Sequence, residues 1–468
     1  MNTECTQQSF EFQSLKRRKV KADFSGGRLT SDGGGLLLRE VEKRIGLIED
    51  LAKCFEDSRD PSRVEHTLEE LLAQRIYGLA LGYEDLNDHE ELRQDPLLGI
   101  LVEKADPTGE TRQRSRDKGN ALAGKSSLNR LELAGEGKGQ ERYKKIQVDE
   151  EQVARLFVEK FIESRRRRPR RLILDLDATD DLLHGEQEGR SFNSYYRGYC
   201  YLPLYAFCDG FPLWAQLRPS NIDASEGSVA ALKIMMGMLR KKWPKVRILV
   251  RADSGFAREE LMAWCESKGV DYIFGLARNS RLQEEISEQK ERARAQFERT
   301  GKTARIFVEF EYRTLKSWSR SRRVIAKVEH LAKGENPRFL VTSLEKGKAK
   351  YLYEKVYCAR GEMENRIKEQ QLDLFADRTS TSYIRSNQLR LWFSTAAYLM
   401  LHQLRRLGLR GTKMARAQCG TIRLKLLKIG AQIRVSVRRF MLAFAGGYPY
   451  KRLFEQVYRN LQAQPLLN

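Results

Sequence analysis

The chain has 468 residues, which is long for one domain and leads us to expect two to four structural units. Its formal net charge of +22 and pI near 9.6 point to a polyanionic partner, with nucleic acid ahead of an acidic membrane surface. No run approaches the ~20 apolar residues of a membrane helix, and the polar N-terminus lacks the apolar core of a secretion signal, so a cytoplasmic protein is expected. The seven cysteines are widely spaced without a CxxC pair, and the five histidines are scattered, which excludes a zinc ribbon and a histidine-built zinc site. Any metal would be held by carboxylates, which favours Mg²⁺ or Mn²⁺.

Residues 1 to about 35 read as loosely ordered, with a basic cluster from Lys16 to Lys21 and a glycine-rich stretch at 33–35. From Gly35 to about Leu101 apolar residues recur at three-to-four spacing, as in helices. Residues 103–120 are polar and arginine-rich and read as a loop. Helical spacing returns at 126–132 and 148–163, and the run Arg165, Arg166, Arg167, Arg168 before Pro169 ends that helix. The character then changes. Arg171–Asp177 is a short apolar strand running into acids. Tyr201–Cys208 and Phe211–Leu217 are apolar runs separated by Asp209-Gly210, a hairpin signal. Ser225–Trp243 is an amphipathic helix, Val246–Ala252 a buried strand, Arg258–Lys268 a helix and Val270–Leu276 a strand. Three antiparallel strands followed by parallel strand–helix units predict a mixed α/β sheet. Residues 280–303 read as helical. Ile306–Tyr312, Arg322–Glu329, Phe339–Thr342 and Tyr351–Tyr357 read as strands of a β-rich insertion. Helices follow from Glu362 to about Leu374 and from Asn387 to Leu407, and the tail at 421–463 is apolar with interleaved Arg and Lys.

A formal phosphate-loop match, Gly119 to Ser126, fits GxxxxGK[ST]. Such a loop must follow a buried strand so that its N–H groups converge on phosphates. The preceding residues are polar and arginine-rich, so no ATP site is expected. The arginine run 165–168 reads equally as a solvated face or as a clamp on a DNA backbone near the chemistry.

The acids carry the chemical argument. Asp175, Asp177, Asp180 and Asp181 lie at or just after one strand end, and Asp253 ends another. A lone Asp ending a strand is more often a turn or cap residue. Two such strand ends in a basic protein, with a helical Glu downstream, suit a two-metal phosphoryl-transfer site. Asp175 and Asp177 share a strand face. Asp177 is the later one, nearest the open end, and is chosen, with Asp175 as a possible support. Downstream, Arg360, Glu364 and Lys368 lie four residues apart on one helix face, an arrangement also found in ordinary surface charge ladders.

These segments resemble the DDE transposases of the IS4-like group, nearest to the IS1380 insertion-sequence family. The likeness rests on Leu174–Asp181 and His184–Arg190, on Arg251–Phe256, on Tyr357, Arg360 and Glu364 spaced as Y-x2-R-x3-E, and on Thr421–Ala431. It implies an RNase H-like mixed-sheet catalytic core with a β-rich insertion before the third acid, preceded by a helical DNA-binding region. The expected divisions are 1–150 for DNA-end binding, 165–280 for the first part of the core, 281–356 for the insertion, 357–410 for the last part of the core, and 411–468 as a basic C-terminal region. The resemblance further implies that Asp177, Asp253 and Glu364 bind two Mg²⁺ ions, with Mn²⁺ possible. Water then frees a 3′-OH at the transposon end, and that hydroxyl attacks the opposite strand or target DNA. Double-stranded DNA is the implied partner, as terminal inverted repeats and as target, with a homodimer or higher multimer holding paired ends. Tyr357, Arg360 and Lys368 would touch DNA; Gln371 stands where the family carries a further Lys. A bacterial, nucleoid-associated protein follows. The rival readings are a nuclease that cuts without joining, an inactive DNA binder derived from a transposase, and a phosphate-loop ATPase.

Overall fold

The computed structural model describes residues 9–133, 145–436 and 438–466. The chain divides into two compact units, one of Met1–Gln147 with Ala396–Asn468 and one of Val148–Thr395. No described helix is long and apolar enough to cross a membrane.

The first unit has a helical core. Leu36–Ile45, Leu47–Ala52 and Leu68–Leu81 bury Leu38, Val41, Leu47, Leu72, Ile76 and Ala80. Thr67 and Glu70 form a reciprocal capping box that starts the third of these helices, and Gly82 at φ 96° ends it. The region before Gly35 is more regular than its composition suggests. Phe10–Leu15 and Arg18–Ala22 pair as an antiparallel hairpin. Leu29–Thr30 pairs with Ala431–Ser436, which also pairs with Arg439–Phe444. Residues 1–8 lie outside the described residues. The tail ends in the helix Lys451–Gln462.

The phosphate-loop match also falls in this unit. A 3-10 turn, Ser115–Asp117, and a loop precede it instead of a strand. The Lys125 amide at the start of helix Lys125–Glu132 donates to Glu90 Oε1 at 2.8 Å, and Lys125 Nζ donates to Asn87 Oδ1 at 3.3 Å. A protein carboxylate holds the amide that a phosphate loop would turn to its ligand.

The second unit is built on one nine-stranded mixed sheet. Its elements in chain order are α1 (Glu150–Glu163), β1 (Arg171–Ala178), β2 (Leu204–Cys208), β3 (Phe211–Gln216), α2 (Ser228–Lys242), β4 (Arg247–Ala252), α3 (Glu259–Ser267), β5 (Asp271–Leu276), α4 (Ser287–Thr300), β6 (Ala304–Tyr312), β7 (Arg322–Leu331), β8 (Arg338–Thr342) and α5 (Gly361–Lys368). The strand order is β3-β2-β1-β4-β5-β8-β7-β6, with Gly334–Glu335 pairing to β7. β1, β4 and β5 are parallel; β2 runs antiparallel to β1, and β3 antiparallel to β2. The predicted hairpin is a two-residue turn in which Asp209 and Gly210 both have positive φ, 53° and 75°, the type I′ geometry that matches strand twist.

Two expectations change, at 201–208 and at 351–357. The apolar run at 201–208 breaks at Leu202-Pro203, so Gly198–Tyr201 joins a small separate sheet with Asp181–Leu182 and Ser191–Asn193. The strands at 304–342 extend the main sheet, β8 pairing antiparallel with β5. The stretch Tyr351–Tyr357 is helical rather than a strand. It comprises one α turn (Ala349–Tyr351), a π turn (Leu352–Tyr357) and a 3-10 turn (Cys358–Arg360) leading into α5.

Pleating explains why β1 can carry acids inside a sheet. Leu172, Leu174 and Leu176 lie buried on one face, while Ile173, Asp175 and Asp177 point to the other. On that second face Leu249, Ile273, Ile325 and Leu340 pack against Leu352, Tyr353 and Val356. This apolar contact holds the irregular helical segment against the sheet and delivers α5 to the carboxyl ends of the parallel strands.

Candidate active site

Asp177 is the last residue but one of β1, and Asp253 follows β4 directly. The strands are parallel neighbours, and Arg251 pairs with Asp175, which brings Asp253 level with Asp177. Loops leaving the carboxyl ends of parallel strands build the sites of open α/β sheets. Asp253 Oδ1 accepts from Gly255 N at 2.9 Å and caps the turn Ser254–Phe256. The ordinary turn role therefore coexists with a place in the site.

Gly275 on β5 makes that placement possible. A Cβ there would lie 2.8 Å from Ser254 N, 2.8 Å from the Tyr357 hydroxyl and 3.2 Å from the Asp253 carbonyl carbon. Gly275→Ala should shift the Asp253 turn and Tyr357 together. We expect a stability loss of about 1–3 kcal/mol from overpacking and a fall in DNA cleavage of about 10²-fold, read by thermal melting and a cleavage time course. Full activity with an unchanged melt would show that the close approach has no consequence.

Glu364 arrives on α5. Arg360, one turn earlier, sits between the acids. Its Nη2 lies 2.8 Å from Glu364 Oε1 and its Nη1 3.3 Å from Asp177 Oδ2. Arg360 Nη1 has no hydrogen-bond partner of good geometry. Asp177 is 9% exposed. Burial, then repulsion from Asp253 and Glu364, push its carboxyl up to about 7 against the pull of Arg360 and the Ala178 amide. Tyr357 is half-buried at the same place, and its phenol is raised by burial and by Asp253 against the pull of Arg360. The structure thus brings Asp177, Asp253, Glu364, Arg360 and Tyr357 together.

Asp175 is used differently. Arg251 holds it in a fork, Nε to Oδ1 at 2.6 Å and Nη2 to Oδ2 at 2.8 Å, and donates from Nη1 to Val356 O at 2.6 Å. Burial raises the Asp175 carboxyl despite this pairing. Both Asp175 oxygens are thus taken by Arg251, whereas Asp177 faces Arg360. Gln371 donates to Asp180 O at 3.1 Å and to Asp181 Oδ1 at 2.9 Å. Asp181 is fully buried, and burial lifts it to about 8. Lys368 is exposed one turn beyond Glu364.

Arg165, Arg166, Arg167 and Arg168 precede β1, whose start at Arg171 lies roughly 20 Å from Asp177 at about 3.3 Å per residue. Arg165 pairs with Asp209 at 2.8 Å and lies over the Phe161 ring. Asp209 lines a cleft with Asp175, Arg251 and Glu362, so Arg165 reaches the flank of the site through it, while Arg166, Arg167 and Arg168 are exposed ahead of β1.

Two residues of the site carried little sequence signal. Arg251 reads as one more cation in a basic chain, and only the β1–β4 register shows that it faces Asp175. Tyr196 donates to Ala178 O at 3.3 Å, and its phenol is raised by burial and then by Asp180, Asp177 and Asp253. It reaches the acids through a small sheet that periodicity did not reveal.

The donor set can be tested against divalent metal. Three carboxylates from separate elements are hard oxygen ligands of the kind Mg²⁺ and Mn²⁺ take. Among the described residues no three acidic, histidine or cysteine side chains converge closely enough to hold one ion in this arrangement. A guanidinium stands among them instead, balancing a buried acid that two other acids destabilise. The charge and chemistry fit a cation, and Arg360 would have to withdraw to admit one.

No curated protein matches the chain. Among solved structures it is similar to a piggyBac transposase in a cryo-EM synaptic complex with hairpin DNA, at 12% identity and a TM-score of 0.38, covering 94% of this chain and 83% of that one. The family described as Transposase DDE domain group 1 matches residues 12–466. With nearly its whole length inside that family, the chain belongs to the DDE transposases, enzymes of DNA transposition.

Proposed function

We propose that this transposase is of the IS4-like, IS1380-type kind, with an RNase H-like core, and that it cuts at transposon ends and joins them to target DNA. The observation that carries the reading is the buried Asp177, held near Asp253 and Glu364 with Arg360 bridging Asp177 and Glu364. Asp177, Asp253 and Glu364 would hold two Mg²⁺ ions, or Mn²⁺, which when bound supply activation of the attacking oxygen and stabilisation of the leaving one. Arg360, freed from the acids, turns its guanidinium to a DNA phosphate beside the scissile bond, with Tyr357 and Lys368 along the same strand. Region 1–150 recognises the terminal inverted repeats, 165–280 and 357–410 form the core around the insertion 281–356, and 411–468 adds basic contacts. A homodimer or higher multimer holds two ends together. A nucleoid-associated protein of the bacterial cytoplasm needs no more than this.

The test is cleavage of a labelled transposon-end duplex in Mg²⁺ by the wild type and by Asp253→Asn. We expect cutting by the wild type and a loss of at least about 10³-fold in the variant, several kcal/mol of transition-state stabilisation, with DNA binding retained. Chelation by EDTA should have the same effect as the substitution. Equal cutting by both proteins would remove Asp253 from the site. Paired-end substrates with a target duplex add the joining step; cutting without joining would reassign the enzyme as a nuclease.

A further inference from the structure

The far end of α5 is tied to the strand that carries Asp177. A π turn, Glu369–Asp373, continues α5 directly, and the run stops where Phe375 turns to φ 60°. A π turn holds more residues than an α turn and so changes which side chains face inward. Here Gln370 is fully buried, and Glu369 is buried against Arg366. Gln371 turns to the loop leaving β1, where its one amide nitrogen donates to Asp180 O at 3.1 Å and to Asp181 Oδ1 at 2.9 Å. A primary amide has two hydrogens and can satisfy both acceptors at once. Asp181 Oδ2 has no hydrogen-bond partner among the described residues, so the Gln371 amide is what this buried acid has been given. Tyr205, opposite Asp177 on β2, is fully buried beneath, its phenol raised by burial and then by Asp181 and Asp377.

We propose that Gln371 is a positioning residue for Glu364, holding the glutamate helix at a fixed distance from Asp177 once Arg360 has left the acids. The proposal rests on the reading that Asp177, Asp253 and Glu364 hold divalent ions. Arg360 itself bridges Asp177 and Glu364. With Arg360 withdrawn, Glu364 stands on an exposed face of α5 and is placed by the two ends of its helical run. The near end is held by Arg251 through Val356 O at 2.6 Å. The far end is held by Gln371, about two turns beyond Glu364 at 3.6 residues per turn. The two ties grip different places, β4 and the exit of β1, so the loss of either lets the helix pivot about the other. A pivot that moves a reacting group by about 1 Å costs on the order of 10²-fold in rate. Gln371 itself need touch neither DNA nor metal.

The test compares the full-length wild type with Gln371→Ala, Asp181→Ala, the double variant and Asp181→Asn. In EDTA, amide hydrogen exchange across 361–373 should quicken about tenfold in the alanine variants, while β1, β4 and β5 keep their protection. Affinity for a labelled end duplex in EDTA should not change. In Mg²⁺, single-turnover cleavage at saturating DNA should fall about 10²-fold in Gln371→Ala, and more Mg²⁺ should be needed for half the maximal rate. The double variant should cleave no more slowly than Gln371→Ala, because the two residues act through one bond. Asp181→Asn keeps an oxygen for the amide and should cleave like the wild type. Wild-type cleavage by Gln371→Ala overturns the proposal. So does a loss of duplex affinity as large as the loss of cleavage, which would make Gln371 a DNA contact. Losses that multiply in the double variant, a slow Asp181→Asn, or protection lost across the whole sheet overturn it as well. A wild type that does not cut in Mg²⁺ counts against the proposed function, whereas exchange in EDTA needs no cutting, so the two failures are read separately.

Discussion

Asp177→Asn is expected to abolish DNA cleavage and yet melt at a higher temperature than the wild type at pH 8. The reason is the raised carboxyl, about 7 in the folded chain against an ordinary 3.8. The folded state holds that proton more tightly than the unfolded state, so stability falls as pH rises from about 3.8 to about 7 and stays low above it. Burial is the first cause, and repulsion from Asp253 and Glu364 adds to it. Asparagine keeps the shape and removes the charge. The gain in Tm should be near zero below pH 4 and reach about 4–9 °C at pH 8, given 1.36 kcal/mol for each unit between 3.8 and about 7 and about 1–2 °C per kcal/mol in a chain of this length. Mg²⁺ should raise the wild-type Tm by binding the folded state alone, and should leave the variant nearly unmoved. An Asn variant that melts at or below the wild type at pH 8 would mean that Arg360 fully offsets the penalty. The trade of stability for a charged, poorly solvated acid is what a cation site requires before its ion arrives.

The sheet and its acids were legible for a physical reason. In β1, leucines at 172, 174 and 176 alternate with the acids at 175 and 177, and a period of two can be read without any knowledge of partners. The Asp209-Gly210 turn was legible because few dipeptides accept two positive φ angles. The segment 351–357 was misread because its density of tyrosine, leucine and valine mimics a buried strand. The pairs Leu352/Val356 and Tyr353/Tyr357, each four apart, are the helical signal that competed and won once the face bearing Leu249 and Ile273 was there to cover. The arginine run at 165–168 stayed open between a solvated face and a clamp because sequence proximity to an acid says nothing about which end of a strand each residue occupies. Arg251 was quoted within a motif but had no readable role. Its function depends on a parallel pairing between residues 76 positions apart, which no local pattern encodes.

Arg251 should prove as sensitive to substitution as the acids, for a different reason. Its side chain is 9% exposed, and its guanidinium ties Asp175 on the neighbouring strand to the Val356 carbonyl of the segment that carries Arg360 and Glu364. Arg251→Met leaves a buried carboxylate without a partner and an unpaired carbonyl, at an expected cost of about 3–5 kcal/mol. Pairing it with Asp175→Leu removes the stranded charge. The double variant should recover most of the stability, since a well-packed apolar pair can replace a buried ion pair at little cost. Cleavage should not recover with it. Val356 still lacks its donor, so α5 is free to shift against the strand ends, and misplacement of a reacting group by about 1 Å costs on the order of 10²-fold. Melting curves and single-turnover cleavage at saturating DNA separate these effects, because a purely structural role predicts that both return together. A double variant that regains full cleavage along with its Tm would reduce Arg251 to a neutraliser of Asp175. One that regains Tm alone would show that the guanidinium sets the distance between the helical glutamate and the two strand-end aspartates.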